Sequence, residues 1–482
     1  MKNSSTLTAA LPLCVDLDGT LVTADTLVEL LLVLIKKKPI IALTAVGWLL
    51  KGKGYFKEQV TTHSHISTTY LPYHQGVLKY LQAEHARGRK IFLVTASARQ
   101  FAQQVADHIG LFEGVLGSDR QHNYAGTKKA EVLTERFGLH GFVYIGNARV
   151  DLTVWESAAA GSVVTNRSGL VAQARQRTTI EHIFPAPYRA TAWLKAIRVK
   201  QWIKNLLVFV PLIAAHKVAD PKLLLNAIIA FGAFAAASSS VYLLNDLLDL
   251  EADRRHPTKK NRPFAAGHIA SLWGIAASAT LLISSFLIAL QLPLHFMGLL
   301  ALYLTLTLLY SFRLKRVVLL DVFLLATLYT IRIFAGAAAI AVPVSSWLTA
   351  FALFFFLSLA MVKRFTELRR LKQSDQASAH GRGYTVHDSE LIAHIGITSG
   401  CISAVILALY ISSPEIYSLY ITPWLLWALI PLLLFWISRV WLLAHRGELD
   451  EDPTTFAVKD GPSYMVVIAL LIIVFIASRI TV

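Results

Sequence analysis

The sequence has few charged residues and few cysteines, and both shortages restrict the class of protein. Only 16% of the 482 residues are charged, whereas 55% are apolar, which is too apolar for an ordinary soluble enzyme. The two cysteines, Cys14 and Cys401, lie far apart inside apolar segments, so they indicate neither a disulfide scaffold nor a zinc site. The N-terminus, MKNSSTLTAALPLCVDLDGT, has too short an apolar stretch for a signal peptide. We therefore expect the N-terminal part to stay in the cytoplasm.

Long apolar runs are absent up to about residue 190 and recur after it. The later runs are roughly 17–25 residues long, which is enough for a helix to cross a bilayer. We therefore predict a transmembrane bundle over residues 193–482 and a polar linker over 166–192. The nine predicted segments lie at about 205–216, 223–244, 271–291, 295–311, 318–341, 345–361, 391–412, 421–443 and 463–481. The first is the shortest.

The part before the linker alternates short apolar runs with helical patterns. The runs 11–15, 91–95 and 142–145 are predicted strands, and this alternation is typical of an α/β domain with a parallel sheet. The domain is predicted to cover residues 1–165. Between the first two strands lies a helical insert whose apolar pieces are split by 36–39. We expect a cap over the active site that lies on the membrane surface, with a re-entrant hairpin as the alternative.

Positive charge is concentrated in loops that alternate along the membrane part. The formal net charge is +16, but the positions of Lys and Arg favour a membrane topology signal over nucleic-acid binding. Five loops predicted to be inside carry 20 Lys and Arg residues, whereas the predicted outer loops carry two, Lys217 and Lys222. This asymmetry places the N-terminal domain and the charged loops on the cytoplasmic side of the inner membrane. With nine spans, the C-terminus would lie outside.

Two carboxylates follow the first predicted strand in the sequence VDLDGT. Asp16 is placed to attack phosphorus as a nucleophile, and Asp18 to protonate the leaving oxygen and later activate water. A Mg²⁺ ion must offset the repulsion between carboxylate and phosphate. Asp16 and Asp18 are therefore the first candidates for a phosphatase centre.

Three later segments complete this pattern. Thr95 ends the second strand, Lys129 or its neighbour Lys128 can balance a phosphoaspartate, and GNARVD supplies Asn147 and Asp151 near the metal. Together these pieces resemble the haloacid dehalogenase phosphatase superfamily over residues 11–165. Members of that superfamily commonly have Asp at the position of Asn147. The alternative is therefore a catalytically weak domain that is kept for regulation or stability.

A second group of carboxylates follows the second apolar segment, in NDLLDLEADRRHPTKKNRP. Asn245, Asp249 and Asp253 are spaced by four residues, so they should lie along one face of a helix, with Asp246 adjacent. Carboxylates beside a bilayer are costly unless a cation is bound. Oxygen ligands at this density suit Mg²⁺, which would bridge a diphosphate. A solvated loop of mixed charge is the alternative interpretation.

This motif and the nine spans resemble the UbiA superfamily of membrane prenyltransferases over residues 193–482. The resemblance implies that NDxxDxxxD holds a magnesium diphosphate. A second motif, DxxxD, is matched here only by Asp321, because Leu325 takes its second position. Tyr310 and Lys315 stand one residue further apart than the YxxxK of the family. Both departures disfavour an ordinary isoprenyl diphosphate donor.

Other segments resemble the decaprenyl-phosphate phosphoribosyltransferase branch: RVKQWIKN, HPTKKNRP, YSFRLKR, YTIRIFAG and MVKRFTELRR. In that branch the donor is phosphoribosyl pyrophosphate (PRPP) and the acceptor is a polyprenyl phosphate. Arg332 is notable because a charge within a span is a functional hypothesis by default. The other candidate substrate-binding residues are Arg198, Lys204, Asp246, Lys259, Arg262, Tyr310, Lys315, Lys363 and Arg364. Most of them are cationic, as a site that holds a diphosphate, a ribose 5-phosphate and a lipid phosphate together would require.

Three functions remain open at this point. The first is a membrane enzyme that forms a polyprenyl-phosphate ribose, with the fused domain removing the 5-phosphate of the product. Its expected cofactor is Mg²⁺, held in the membrane part by Asn245, Asp249 and Asp253 with help from Asp321. The second is an aromatic prenyltransferase that uses an isoprenyl diphosphate. The third is a non-catalytic lipid-binding or transport protein with a degenerate phosphatase domain.

Overall fold

The computed structural model describes residues 10–120, 122–373, 383–449, 453–457 and 459–479. The chain forms two compact units, and each is discontinuous in sequence. Unit 1 contains the residues up to Ile197 together with Tyr242–Ser278, and unit 2 contains Arg198–Val241 together with the residues from Ala279 onward. The predicted inner loops 362–390 and 444–462 and the last predicted span lie partly outside the described residues.

Unit 1 is built on one parallel sheet of six strands in the order β3-β2-β1-β4-β5-β6. The strands are β1 (Leu13–Val15), β2 (Ile91–Ala98), β3 (Gly114–Ser118), β4 (Val143–Gly146), β5 (Ala160–Val164) and β6 (Thr179–Phe184). The predicted α/β class is confirmed, and β1, β2 and β4 coincide with the three predicted strands. Because β1 and β4 are neighbours and parallel, the residues that follow them meet at one edge of the sheet.

The structure differs from the prediction in the segment 166–192, which was expected to be a linker. Residues Ser168–Arg175 form a helix, and β6 pairs with β5 at the edge of the sheet. Strand β6 is partly exposed along its whole length. An edge strand that faces solvent keeps polar side chains, so its sequence resembles that of a loop.

Helices cover the sheet of unit 1 and form the predicted insert after β1. They are α1 (Thr26–Lys37), α2 (Pro39–Leu43), α3 (Ala45–Leu50), α4 (Lys53–His63), α5 (Gln75–Ala86), α6 (Arg99–Ile109), α7 (Thr127–Phe137), α8 (Leu152–Ser157), α9 (Ser168–Arg175) and α10 (Ala192–Ala196). Helix α1 is capped at its N-terminus by Asp25, whose carboxylate accepts a hydrogen bond from the Val28 N–H at 3.1 Å. Helices α2 and α3 leave apolar side chains exposed, among them Ile40, Leu43 and Leu50. Each is too short to cross a bilayer.

Unit 2 contains most of the long apolar helices. In chain order the remaining helices are α11 (Val210–Ala214), α12 (Pro221–Leu248), α13 (Leu250–Arg255), α14 (Ser271–Ala289), α15 (Leu294–Phe312), α16 (Leu320–Ala339), α17 (Ser346–Gln373), α18 (Ser389–Ile411), α19 (Pro414–Leu419), α20 (Leu429–Arg446), α21 (Pro453–Ala457) and α22 (Gly461–Arg479). Of these, α13 belongs to unit 1, and α12 and α14 each have residues in both units. Within the described ranges, eight helices are long and apolar enough to cross a membrane.

The predicted segment 205–216 does not form a long helix. It begins within a 3₁₀ helix, Val199–Phe209, and continues into the short α11, which carries Pro211 in its first turn. The 3₁₀ stretch packs closely against α16. A β-carbon on Gly336 would lie only 2.0 Å from the carbonyl oxygen of Val208, so only glycine allows this approach.

The segment Tyr242–Ser278 packs within unit 1 through a buried ion pair. The guanidinium of Arg254 donates two hydrogen bonds to the carboxylate of Glu29 in α1, both at 2.7 Å. Its Nε donates to the carbonyl oxygen of Ala265 at 3.1 Å. The side chains of Arg254 and Glu29 are only 5% and 2% exposed. Nearby, a β-carbon on Gly267 would lie 2.0 Å from Oγ1 of Thr23.

We predict that Arg254→Met destabilises unit 1 by about 3–5 kcal/mol, because it leaves the Glu29 carboxylate buried without a counter-charge. The midpoint of thermal unfolding of the full chain in detergent measures the effect. The control is Arg255→Met, since Arg255 pairs with Glu251 at the surface, where its side chain is 53% exposed. That pair is worth about 0–1 kcal/mol, and equal shifts for the two variants would contradict the prediction.

Candidate functional site

A buried charged centre lies where β1 ends. The ammonium of Lys129 donates to Oδ1 of Asp16 at 2.8 Å and to the hydroxyl of Tyr144 at 2.9 Å, and it lies 3.8 Å from Oδ1 of Asp151. Lys128, the alternative lysine, is exposed. The sheet topology therefore brings Asp16 and Asp151 together, because they follow the neighbouring parallel strands β1 and β4. Lys129 joins them from the first turn of α7.

Burial controls the protonation of this centre. It raises the pKa of the Asp16 carboxyl to about 7, even though the neighbouring Lys129 ammonium lowers it. For Lys129, burial lowers the pKa, but the carboxylates of Asp16 and Asp151 outweigh burial and raise it overall. The lysine thus stays charged beside Asp16. A further cation at Asp16 would favour the carboxylate form, which a nucleophile requires.

Asp18 is held by the start of helix α1. Its Oδ1 accepts from the Thr26 N–H at 2.8 Å, and its Oδ2 accepts from the Ser97 hydroxyl at 2.5 Å. Burial raises the pKa of the Asp18 carboxyl, which favours the protonated form that a general acid needs. Thr95 is buried, and its Oγ1 accepts from the Ser97 N–H at 3.0 Å.

Sequence reasoning missed Ser97 and Lys57. Ser97 stands two residues after Thr95 in VTASA, and this position at the end of β2 was the available signal. Lys57 lies in α4 of the insert, and its ammonium donates to the Ala96 carbonyl oxygen at 2.6 Å and to Oδ1 of Asn123 at 2.8 Å. Burial lowers the pKa of Lys57. No local pattern marked it, because its contacts join residues far apart in the chain.

Asn147 and Asp151 organise the loop after β4. Oδ2 of Asp151 accepts from the N–H groups of Asn147 and Ala148, both at 3.0 Å, and Oδ1 accepts from the Tyr144 hydroxyl at 2.9 Å. The amide of Asn147 lies against the DGT turn, since a β-carbon on Gly19 would be 2.0 Å from its Nδ2. The loop with Asn147 thus meets the turn that follows Asp18.

The acidic helix predicted after the second apolar segment is present in unit 1. Asp249 donates its N–H to the carbonyl oxygen of Asn245 at 2.9 Å, and Asp253 donates to that of Asp249 at 2.8 Å. These helical bonds stack the three residues one turn apart, although α12 ends at Leu248 and α13 begins at Leu250.

Basic side chains pair with the carboxylates of this helix. Nη1 of Arg262 donates to Oδ1 of Asp246 at 3.1 Å and to Oδ2 of Asp253 at 2.7 Å. Nζ of Lys36 donates to Oδ1 of Asp249 at 2.5 Å. Asp246 and Asp253 are each 3% exposed, so these carboxylates do not splay toward bulk solvent. Lys259, also predicted to bind substrate, is exposed.

The donor atoms at both centres fit Mg²⁺ in their chemistry. In the described part of the chain, no three acidic, His or Cys side chains converge into a formed cation site. The carboxylates are instead neutralised by Lys129, Arg262 and Lys36. Carboxylate and amide oxygens are nevertheless the hard ligands that Mg²⁺ prefers. The metal roles of Asp16, Asp18, Asn147 and Asp151, and of Asn245, Asp249 and Asp253, stay predictions.

In unit 2, Asp321 is fully buried and paired. Its Oδ2 accepts from Nη2 of Arg364 at 2.5 Å, and its Oδ1 accepts from the hydroxyl of Tyr384 at 2.5 Å. Arg364 also pairs with Glu367. Both the Asp321 and the Arg364 side chains are 0% exposed. Asp321 thus compensates Arg364 here, and its predicted role as a magnesium ligand remains untested.

Arg332 lies at the centre of a second polar network in unit 2. Its Nε donates to Oδ1 of Asn205 at 3.0 Å, and its Nη2 donates to the hydroxyl of Tyr303 at 2.9 Å. The Lys204 ammonium lies 5.6 Å from the centre of the Tyr329 ring, and the Arg332 guanidinium lies 5.8 Å from it. The predicted Arg332 and Lys204 therefore share an aromatic neighbour. The other predicted residues of unit 2, Arg198, Tyr310, Lys315 and Lys363, are half-buried.

Comparisons with known proteins match both parts of the chain. The UbiA prenyltransferase family matches residues 206–478, and the haloacid dehalogenase-like hydrolases match residues 52–156. The uncharacterized protein y4nM of Sinorhizobium fredii is 37% identical over 462 residues, which cover 95% of this chain and 89% of that protein.

Two other relatives each match part of the chain. The nodulation protein NoeC of Azorhizobium caulinodans is 34% identical over 280 residues, which cover 58% of this chain and 90% of that protein. The decaprenyl-phosphate phosphoribosyltransferase of Mycolicibacterium smegmatis is 37% identical over 182 residues, which cover 36% of this chain and 57% of that protein.

We predict that Arg364→Met strongly destabilises unit 2, by about 3–5 kcal/mol, because Asp321 would keep a buried charge without its partner. The double variant Asp321→Asn/Arg364→Met removes both charges and should recover most of this loss. Thermal unfolding in detergent compares the stability of the wild type, the single variant and the double variant. A double variant no more stable than the single one would show that the pair does not control the stability of this region.

Proposed function

We propose a two-step reaction for this chain, which belongs to the UbiA prenyltransferase family and carries a haloacid dehalogenase-like domain. The first step transfers a phosphoribosyl group from PRPP to a polyprenyl phosphate. The second step removes the 5-phosphate of the lipid-linked product. One observation carries the proposal: the stacked acidic residues Asn245, Asp249 and Asp253 lie in the same compact unit as the Asp16–Lys129 centre.

In the transfer step, the bond between the anomeric carbon of PRPP and its diphosphate breaks, and the diphosphate leaves with the electron pair. An oxygen of the polyprenyl phosphate forms the new bond to that carbon. Mg²⁺ held by Asn245, Asp249 and Asp253 would supply the charge that neutralises the leaving diphosphate. Arg262, already beside this helix, is suited to bind phosphate oxygens. The name of the relative from Mycolicibacterium smegmatis, a decaprenyl-phosphate phosphoribosyltransferase, supports the transfer of a phosphoribosyl group to a polyprenyl phosphate.

In the phosphatase step, a carboxylate oxygen of Asp16 attacks phosphorus and forms a phosphoaspartate. Asp18 gives its proton to the departing ribose oxygen and then takes a proton from the water that hydrolyses the intermediate. The raised pKa of Asp18 supports its role as the acid. Lys129, 2.8 Å from Asp16, offsets the negative charge that accumulates there. Thr95 and Asn147 are proposed to orient the phosphoryl group and the metal.

The chain is a multi-pass integral membrane protein, with eight candidate spans among its described residues. We propose that it lies in the inner membrane with both chemical centres on the cytoplasmic side, as the distribution of Lys and Arg indicates. For the acidic motif after α12 to lie on that side, the chain must also cross the membrane within Val199–Ala214, before α12 begins. The seven later candidate spans among the described residues then place the C-terminus outside.

An aromatic prenyltransferase is the second candidate, because the family match itself favours an isoprenyl diphosphate donor. Leu325 counts against it, since the second carboxylate of DxxxD is missing. The two candidates differ in the donor, so product analysis separates them.

We predict that purified full-length protein with labelled PRPP and a polyprenyl phosphate forms a lipid-soluble ribose product without a 5-phosphate. The Asp16→Asn variant should accumulate the 5-phosphorylated lipid, because the second step loses its nucleophile. Asp249→Asn should form about 100-fold less lipid product, as expected when a group that stabilises the leaving charge is lost. Mass spectrometry of the lipid fraction identifies each species. If the label stays in the aqueous phase with the wild-type protein, the phosphoribosyl transfer is excluded. A prenylated aromatic ring as the product would exclude it as well.

We predict that Lys129→Met lowers hydrolysis of the 5-phosphorylated lipid by about 100-fold or more, because the charge on the attacked phosphoryl group is no longer offset. The matched control is the adjacent exposed Lys128→Met, which should keep the wild-type rate. Release of inorganic phosphate measures both variants. A Lys128 variant as slow as the Lys129 variant would contradict the assignment.

A further inference from the structure

Helix α1 of the phosphatase-like domain links the two chemical centres of unit 1. At its N-terminal end, the Thr26 N–H donates to Asp18 at 2.8 Å. At its C-terminal end, the Lys36 ammonium donates to Oδ1 of Asp249 at 2.5 Å and to the carbonyl oxygen of Leu248 at 3.0 Å. Ten residues of helix separate these contacts, a distance of about 15 Å.

The middle of α1 is held in place by the buried pair of Glu29 and Arg254. Two hydrogen bonds at 2.7 Å join these side chains, and Arg254 follows Asp253 directly in the acidic motif. The pair anchors the middle of α1 to the segment that carries the acidic motif. The C-terminal end of α1 is therefore kept beside Asp249.

The contact between Lys36 and Asp249 is of a different kind. The two side chains are 36% and 34% exposed, and ion pairs with this exposure contribute little stability. Such a pair can separate when a stronger ligand arrives. Its second contact, at the Leu248 carbonyl, places the ammonium at the C-terminal end of α12, where the helix dipole favours a cation.

We propose that Lys36 is the residue through which the phosphatase-like domain completes the diphosphate site of the transferase. Without substrate it acts as the counter-ion of Asp249. When Asp249 binds a divalent cation, the ammonium is released from the carboxylate but stays nearby, and it then binds an oxygen of the diphosphate. This assignment rests on the proposed function for the identity of the substrate, but the counter-ion role does not.

The chain offers a matched control in the next residue. Lys37 belongs to the same helical turn and pairs with Glu251 at 3.4 Å, with 58% of its side chain exposed. Glu251 is not one of the defining residues of the NDxxDxxxD motif. Lys37→Met therefore removes the same charge from the same helix end without touching Asp249, and Lys36→Arg keeps the charge at the original position.

The first experiment titrates the full-length protein with Mn²⁺ alone and follows binding by electron paramagnetic resonance. The Asp16→Asn background weakens the site at the end of β1, and Asp249→Asn in that background identifies the signal of the acidic helix. Lys36→Met should bind Mn²⁺ about two- to fivefold more tightly at this site, because its competitor is gone. Lys36→Arg and Lys37→Met should bind as the parent does. An unchanged affinity in Lys36→Met would overturn the counter-ion role.

The second experiment measures transfer kinetics with PRPP in the otherwise wild-type chain. Lys36→Met should raise the KM for PRPP by about tenfold or more, as expected for the loss of a charged hydrogen bond, while Lys37→Met leaves it unchanged. Equal KM values for Lys36→Met and the wild type would overturn the substrate contact. If the wild-type protein transfers nothing from PRPP, the proposed function fails and the substrate contact fails with it, while the Mn²⁺ titration still decides the counter-ion role.

Discussion

A charge removed from water must be compensated by an opposite charge or by several hydrogen bonds, because a low-dielectric interior does not solvate it. Both units follow this constraint. Arg364 and Asp321 compensate each other in unit 2, where neither side chain is exposed. In unit 1 the same rule determines which segments pack together. The pairs that show it there are Asp16 with Lys129, Glu29 with Arg254, and Asp253 with Arg262.

The charged pairs explain how a phosphatase-like sheet and a membrane transferase motif belong to one compact unit. The acidic motif follows a long apolar helix, so its carboxylates need cations close by. The insert of the phosphatase-like domain supplies some of them, and α1 contributes both an acid, Glu29, and a base, Lys36, to the segment Tyr242–Ser278. Two regions that appear separate in the sequence thus share structural residues.

Local patterns in the sequence predicted much of this architecture. The apolar runs located the long helices, the alternation of strands and helices predicted the parallel sheet, and the order of motifs led to Asp16 and Lys129. The patterns did not predict the position of β6, whose exposed edge leaves polar residues, or the short helices at Val199–Ala214. They also could not predict the pairing of Glu29 with Arg254. That contact joins residues 225 positions apart, and no local pattern indicates which residues pair over such a distance.

The discontinuous composition of unit 1 has a consequence for dissecting the protein. A fragment cut after the sheet, near residue 190, would contain Asp16, Asp18 and Lys129 but would lack Arg254. Glu29 would then lose its buried counter-charge, and the exposed apolar side chains of α2 and α3, such as Ile40 and Leu43, would remain on the surface of the fragment. We therefore expect the N-terminal domain to lose stability when it is cut from the rest of the chain. One of its buried charges is compensated by a segment that follows the first long membrane helix in the sequence.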